Sequence, residues 1–510
     1  MAGFLQLPQE LRLQILELLE GDNAALVPFC SVSRVCAQLA HPVLYRHVVL
    51  GSACAKPFQI GLFLCTLFDR PDHAKMVRTL DIKTSIHRNC TDELDVLAGA
   101  ADLLLANNTR LQYACVRYVM GMKSSIAHET LWMIRNWQSR LYSDAEVAYV
   151  GAVLALSTNV RDITMTIYNK EESYLVTDRP LDLLFGWVGD VDHSNPWSCL
   201  PVLPSMRNVT RLKIPGMSLS VLHLGFDALE VLEVDLTLGA EVHRDLGAYF
   251  NNQDVGLHQC CPPRLRSIVV HLWWYGMLYG STSTFLGRFF EELRAPNLDH
   301  IRFAVAGSPR QWSCIPHATF GRLASGLKPI RNSLRTLTVD LDNEGDTIDF
   351  KAALLCLRLE GPPERATLQQ FENLHTLKLP SSTLAVHALH HHDPTSVYVF
   401  NMYTMPPKLK HLIILHPNAA TLLWLKEIFT AANVPKTGLE LVTLLCAWDL
   451  GKPTTWFERR RSLLDTFPVR FVVRVLPGQR KPEGFVDKEV ADVWRTDAWD
   501  SPPLLAWLDQ

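Results

Sequence analysis

The sequence predicts an α/β chain: three short helices over the first fifty residues, then a curved β-α solenoid whose strands form a parallel sheet. Three observations predict it. Residues 4–50 carry apolar side chains at helical spacing, punctuated by Gly21, Pro28 and Pro42. A short strand-like phrase of the form LxxLxL recurs through the rest of the chain. Helical phrases lie between successive copies of it.

The first helix is written in LPQELRLQILELL. Leu7, Leu11, Ile15 and Leu18 recur at spacings of four, four and three, which is one helical face. Pro8 suits the first helical position, where its missing N–H is no loss. Glu10 lies in the first turn, where the helix dipole favours an anion. Gly21 stands where a left-handed C-terminal cap belongs. A second helix is expected to start near Leu26, which keeps Pro28 in its first turn. Asp22 or Asn23 would supply the N-cap oxygen. Its apolar positions are Leu26, Phe29, Val32, Val35, Cys36 and Leu39. A third helix is expected near His41, with Pro42 at its first position and Leu44 and Tyr45 inward. Val48, Val49 and Leu50 read as extended chain. Helices this short carry more apolar surface than they bury among themselves. The surplus either forms a docking face or packs onto the remainder of the chain.

The three segments LPQELRLQILELL, SVSRVCAQLA and HPVLYRHVVL, in that order and spacing, resemble an F-box of the kind common in fungal proteins. The resemblance covers about a tenth of the chain. It implies a motif that grips the Skp-type adaptor of a cullin-based ubiquitin ligase. Carried over by position, the adaptor face would comprise Leu7, Pro8, Leu11, Ile15, Leu26, Val35 and Cys36. The family's basic residues and Trp after the Val-Cys pair are replaced here by Ala37, Gln38 and Leu39.

Beyond residue 51 the strand phrases are VRTLDI from Val77, VTRLKI from Val209 and LEVLEVDL from Leu229. They continue with LRSIVVHL from Leu265, LDHIRFAV from Leu298 and LRTLTVDL from Leu334. LHTLKL from Leu374, LKHLIIL from Leu409, LELVTLL from Leu439 and a final VRFVVRVL from Val469 complete the set. From residue 229 the starts at 229, 265, 298, 334, 374, 409 and 439 lie 36, 33, 36, 40, 35 and 30 residues apart. Such a period is the mark of stacked units. STFLGRFFEELRA, TFGRLASGL, LLWLKEIFTAA and FERRRSLLDTF supply helices between strands. Strand, helix, strand implies a parallel crossover, and one unit alone cannot bury its apolar face. The array resembles leucine-rich repeats of a long, helix-containing type, although the family's usual unit is shorter, at about 20–29 residues, and its Asn or Cys ladder is not evident in this sequence. A closed α/β domain with look-alike strands is the competing architecture. The expected organisation is residues 1–50 as the F-box, 51–208 as an irregular, mostly helical start with helices around 92–106 and 125–156, 209–478 as the solenoid, and 479–510 as a C-terminal cap or tail.

The 510 residues are 48% hydrophobic and carry a formal net charge of −3. No global basic excess points to nucleic acid or an anionic membrane. No run of about 18 apolar residues predicts a transmembrane helix, and the N-terminus lacks a secretory pattern. The 12 cysteines are scattered, with Cys260 and Cys261 adjacent, which suits reduced core residues rather than a disulfide or zinc framework. A cytoplasmic or nuclear protein is expected.

No phosphate-binding loop, dinucleotide fingerprint, H-E-x-x-H or nucleophile elbow is present. His387, His390, His391 and His392 with Asp393 are the densest metal-ligand cluster, more economically a hydrophilic insertion. Asp340, Asp342, Glu344, Gly345 and Asp346 begin like a calcium loop, but Lys351 stands where the closing carboxylate belongs. Asp190 and Asp192 are a DxD pair in a solvated loop. Arg459, Arg460 and Arg461 read as a solvated helix face. Trp273, Trp274 and Tyr275, directly after a strand, are candidate partner-binding residues or a hydrophobic cover.

The expectation is therefore a non-catalytic adaptor without metal or cofactor. The F-box would hold the Skp-type adaptor and cullin scaffold, and the repeat array an unidentified protein substrate. A scaffold outside any ligase, with the F-box as a structural cap, is the alternative. A metal-dependent enzyme built on the histidine cluster is a third reading.

Overall fold

A computed structural model describes residues 4, 6–51, 59–85, 101–121, 131–142, 146–168, 184, 203–215, 222, 225–237, 262–273, 280–306, 323–342, 368–380, 385–388, 397–400, 405–415, 417, 419–429, 438–446, 464 and 467–475. The chain divides into two compact units. The first comprises Met1–Val234 with Val255–Leu265, and the second Asp235–Asp254 with Arg266–Gln510.

The first unit opens with helices α1 (Gln9–Glu17), α2 (Asn23–Val32) and α3 (Arg34–Leu44) and strand β1 (His47–Leu50). Gly21 adopts φ +88°, the left-handed cap its position foretold. Asp22 caps α2 by accepting from the Ala25 N–H at 3.0 Å. The boundaries beyond differ from expectation. α2 starts three residues before Leu26, so Pro28 lies inside it. Ala24 and Pro28 are both exposed, so the Ala24 carbonyl that Pro28 cannot satisfy faces water. The expected long second helix is cut at Ser33, whose backbone is extended and whose hydroxyl accepts from Cys36 N–H at 3.1 Å. The expected third helix has no start of its own, because Pro42 sits within α3. Leu16, Leu26, Ala40 and Val43 form the small core, flanked by Phe4, Leu19, Phe29, Cys30, Leu39 and Leu44. Phe4 meets Phe29 edge to face at 5.2 Å.

Next come α4 (Gln59–Asp69), α5 (Pro71–Met76), β2 (Thr79–Ser85), α6 (Ala101–Gly121), α7 (Leu131–Tyr142), α8 (Glu146–Leu156) and β3 (Asp162–Tyr168). A 3-10 turn at Pro204–Asn208, β4 (Arg211–Pro215) and β5 (Val231–Asp235) complete the unit. Its strands lie in chain order, β1 to β5. The stretch expected to be helical over 125–156 holds two helices, and the other expected helix runs as far as Gly121. Strand β3 was not foreseen, although VRDITM from Val160 copies VRTLDI from Val77 in pattern. Buried Glu146 opens α8 and accepts from the Thr84 hydroxyl at 2.9 Å, which fixes the helix to β2. The Trp137 indole N–H donates to the Ala148 carbonyl at 2.9 Å and joins α7 to α8.

The second unit contains β6 (Ser267–Trp273), α9 (Gly280–Glu292), β7 (His300–Ala306), β8 (Thr336–Asp342), β9 (Thr376–Pro380), β10 (Ala385–Ala388), β11 (Val397–Phe400), β12 (His411–Leu415), α10 (Ala419–Ile428), β13 (Leu441–Cys446) and β14 (Arg470–Val475). Here the order is β6-β7-β8-β9-β12-β13-β14. The neighbouring pairs are parallel. β10 and β11 form a small antiparallel pair that the sequence pattern did not announce.

Each of the nine LxxLxL phrases becomes a strand that begins two residues after its first residue, and VRFVVRVL becomes β14. Ile268, Ile301, Leu337, Leu377, Leu412, Val442 and Phe471 face one another in register along the second unit. Positions one, four and six of each of the nine phrases are buried: Leu334, Leu337 and Val339, for example, are at most 1% exposed. Burying such aliphatic side chains contributes about 1.5–3 kcal/mol apiece.

The joints between strands repeat in atomic detail. The carbonyl at phrase position two accepts two N–H groups from the next strand, at positions two and three. Arg46, Arg78, Arg161 and Thr210 do this in the first unit, and Arg266, Asp299, Arg335, His375 and Lys410 in the second, at 2.7–3.1 Å. An amide ladder, not evident in the phrases, lies one residue before them. Asn159 donates to the Lys75 carbonyl at 2.8 Å, Asn208 to that of Thr158 at 3.2 Å and Asn373 to that of Asn332 at 2.7 Å. In each case the acceptor lies two residues before the preceding phrase. Lys408 occupies the ladder position of its own phrase and donates to Asn373 Oδ1 at 2.8 Å. No helix among the described residues is long and apolar enough to cross a membrane.

Candidate functional site

The three N-terminal helices satisfy their own core yet leave an apolar surface in water. Leu11, Ile15 and Leu18 are 45%, 40% and 85% exposed on one face of α1, and Val35 on α3 is 46% exposed. Leu7 is half-buried and Pro8 exposed, at the N-cap of α1. Leu26 and Cys36, expected on the docking face, are instead core residues at 0% and 1% exposure. Both project inward because α2 begins early and Ser33 resets the phase of α3. Leu18 was not named among the docking residues, although its spacing from Leu11 and Ile15 would have found it.

This surface is rigidly attached to the strands that follow. Arg46 pairs with Glu17 at the end of α1 at 3.4 Å and with Glu20 in the turn after it at 3.0 Å, while its carbonyl receives the Arg78 and Thr79 N–H groups. The rings of His41, Tyr45 and His73 cluster between α3 and α5, Tyr45 and His73 tilted at 4.3 Å and His41 and His73 edge to face at 5.3 Å. Burial, with Arg70 adding to it, holds both imidazoles below their ordinary range; Asp72 pulls His73 the other way. Both are therefore neutral near pH 7.

The second feature is the sheet face opposite the core. On the second unit, side chains at phrase positions three, five and seven point away from the buried ladder. Asp340 on β8 pairs with Arg302 on β7 at 2.8 Å and with Lys378 on β9. His411 Nε2 and Thr443 Oγ1 hydrogen-bond at 2.9 Å between β12 and β13. Asp340, expected to open a calcium loop, is thus a strand residue held by two cations; Asp342 ends the same strand, and Glu344, Gly345, Asp346 and Lys351 lie outside the described residues. Trp273 ends β6, while Trp274 and Tyr275 lie outside the described residues, as do Asp190, Asp192, Cys260, Cys261, His390, His391, His392, Asp393, Arg459, Arg460, Arg461 and residues 479–510. His387 falls in β10. Among the described residues, no three His, Cys, Asp or Glu side chains are grouped to hold a metal ion.

The position of Arg302, Asp340 and Lys378 was readable as phrase positions five, seven and five, but only strand register shows that they meet. No family model matches the chain, and no curated protein matches it.

Proposed function

We propose that this chain is the substrate-recognition subunit of a Skp-cullin-F-box ubiquitin ligase. Its N-terminal helices dock the adaptor, and its leucine-rich-repeat-like array holds a protein substrate. Covalent transfer of ubiquitin belongs to other subunits, and this chain raises the effective concentration of the substrate. The observation that carries the reading is the exposed apolar strip of Leu11, Ile15, Leu18 and Val35 on helices whose own core is already complete. Surplus apolar surface on a short helical unit marks a partner interface.

The test is a pull-down of purified full-length chain with a Skp-type adaptor, wild type against Leu11→Asp plus Ile15→Asp. Wild type binds, and the double variant, folded by circular dichroism, does not. Because both residues face water, the substitution disturbs folding little, whereas two carboxylates in an apolar interface are costly. Absence of binding by the wild type removes the ligase reading.

One observation favours a second reading, a scaffold in which these helices are a structural cap. β1 is the edge strand of the first sheet, paired with β2, and its Val48 and Leu50 are buried. Repeat arrays need such terminal covers. The cap reading predicts a stable protein that ignores the adaptor and unfolds when residues 1–50 are deleted.

A further inference from the structure

The open face of the second unit's parallel strands has an uneven charge. Register aligns Thr376, His411, Leu441 and Arg470 in one row across β9, β12, β13 and β14. The next row on that face holds Lys378, Ile413, Thr443 and Val472, and Arg474 follows beside Leu445. These four strands place three cations and no Asp or Glu on the open face. β7 and β8 contribute Arg302 against Asp340, which is already shared between Arg302 and Lys378. The surplus is therefore greatest toward β14, where Arg470 and Arg474 are exposed and make no ion pair among the described residues. Arg474 lies close enough to His411 to add to the effect of burial in holding that imidazole below its ordinary range.

We propose that this face binds an acidic protein segment lying across β9 to β14, with carboxylates toward Lys378, Arg470 and Arg474. The inference rests on the reading that the array holds a protein, and not on adaptor docking. Charge complementarity selects the occupant: Arg470 and Arg474 are exposed with no ion-pair partner among the described residues, while Lys378 divides its charge with Asp340. From β9 to β14 is three strand spacings, about 14 Å, which about five extended residues span. Ile413, Leu441 and Val472 lie between the cations and fit the aliphatic parts of such a segment. A single-stranded nucleic acid fits less well, since no Phe, Tyr or Trp stands on this face of the four strands to stack a base, and His411 is already bonded to Thr443.

Fluorescence anisotropy on the full chain tests this with labelled hexaglutamate, hexaglutamine and oligothymidylate. Hexaglutamate binds and hexaglutamine does not. Arg470→Gln plus Arg474→Gln weakens hexaglutamate by about tenfold or more, and Arg474→Gln alone by about threefold. Arg110→Gln, an exposed arginine of the first unit, leaves binding unchanged. Equal binding of hexaglutamine keeps a protein-binding array but overturns the acidic assignment. Tighter binding of oligothymidylate overturns the protein segment itself. Absence of hexaglutamate binding, or binding unaffected by the double variant, overturns the site, while the adaptor pull-down reads the ligase reading separately.

Discussion

Two glycines with the same backbone and different surroundings measure how firmly the N-terminal helices are joined to the strands behind them. Gly21 and Gly51 adopt φ +88° and +84°. An alanine at either is strained by about 1–2 kcal/mol, because an L side chain in the left-handed region crowds its own carbonyl. There the likeness ends. A Cβ at position 21 meets nothing within 4 Å. A Cβ at position 51 would lie 1.8 Å from the Lys83 carbonyl oxygen and 2.8 Å from its carbon, where ordinary contact begins at 3.4 Å. Those are backbone atoms of β2, so no side-chain rotation relieves the clash. β1 must shift away from β2, against the pairing of Leu50 with Ile82. Overpacking of this kind adds about 1–3 kcal/mol. Gly21→Ala is therefore expected to cost about 1 kcal/mol and Gly51→Ala about 3 kcal/mol or more. Urea unfolding followed by far-UV circular dichroism measures both, taking the transition of the first unit by itself if the two units melt separately. Equal losses for the two variants would refute the close approach of Gly51 to Lys83, and with it the attachment of the helical unit to the sheet.

Three further outcomes follow from the structure. Because burial holds His41 and His73 below their ordinary pKa, the unfolded chain takes up protons first as pH falls. Their contribution is complete above about pH 6.5 and is lost as pH drops toward the folded values. The melting temperature should fall across that window, and His73→Phe, which keeps a ring against Tyr45, should flatten the dependence. Asn373→Ala should cost about 1 kcal/mol in thermal melts, through the lost bond to the Asn332 carbonyl. Leu26→Ala should cost about 2–5 kcal/mol, whereas Leu18→Ala, at 85% exposure, should stay within about 0.5 kcal/mol.

The strands were legible because a buried aliphatic triplet repeats in every phrase, and hydrophobic periodicity needs no knowledge of the partner strand. β3 escaped because its phrase, with Ile163 and Met165 at the inward positions, contains no leucine and stands among helices. The helix boundaries near the N-terminus were misjudged for a different reason. Pro28 and Pro42 were read as first-turn residues, but an exposed helix face lets water satisfy the carbonyl that a proline leaves free. Ser33, the residue that does divide the helices, is a common amino acid whose capping role depends on its extended backbone. The exposed apolar residues of α1 followed from spacing alone, whereas the inward turn of Leu26 and Cys36 depended on where that division fell. The contacts of Asp340 with Arg302 and Lys378 depend on register between strands nearly forty residues apart in sequence, which periodicity does not specify.

The repeating joint also accounts for a regular fold in a chain that matches no family model. What recurs at phrase position two is a backbone carbonyl, and the side chains there are Arg46, Thr210, Asp299, His375 and Lys410. What recurs at positions one, four and six is only aliphatic or aromatic bulk. Neither requirement fixes residue identity, so the sequence is free to drift while the ladder stays intact. The asparagine ladder is the one feature that fixes side-chain chemistry, and even there Lys408 stands in the row. The side chains on the open face and on the exposed side of α1 are free of both requirements. Free of both, they carry the chemistry that is specific to this chain: apolar on α1, basic between β9 and β14.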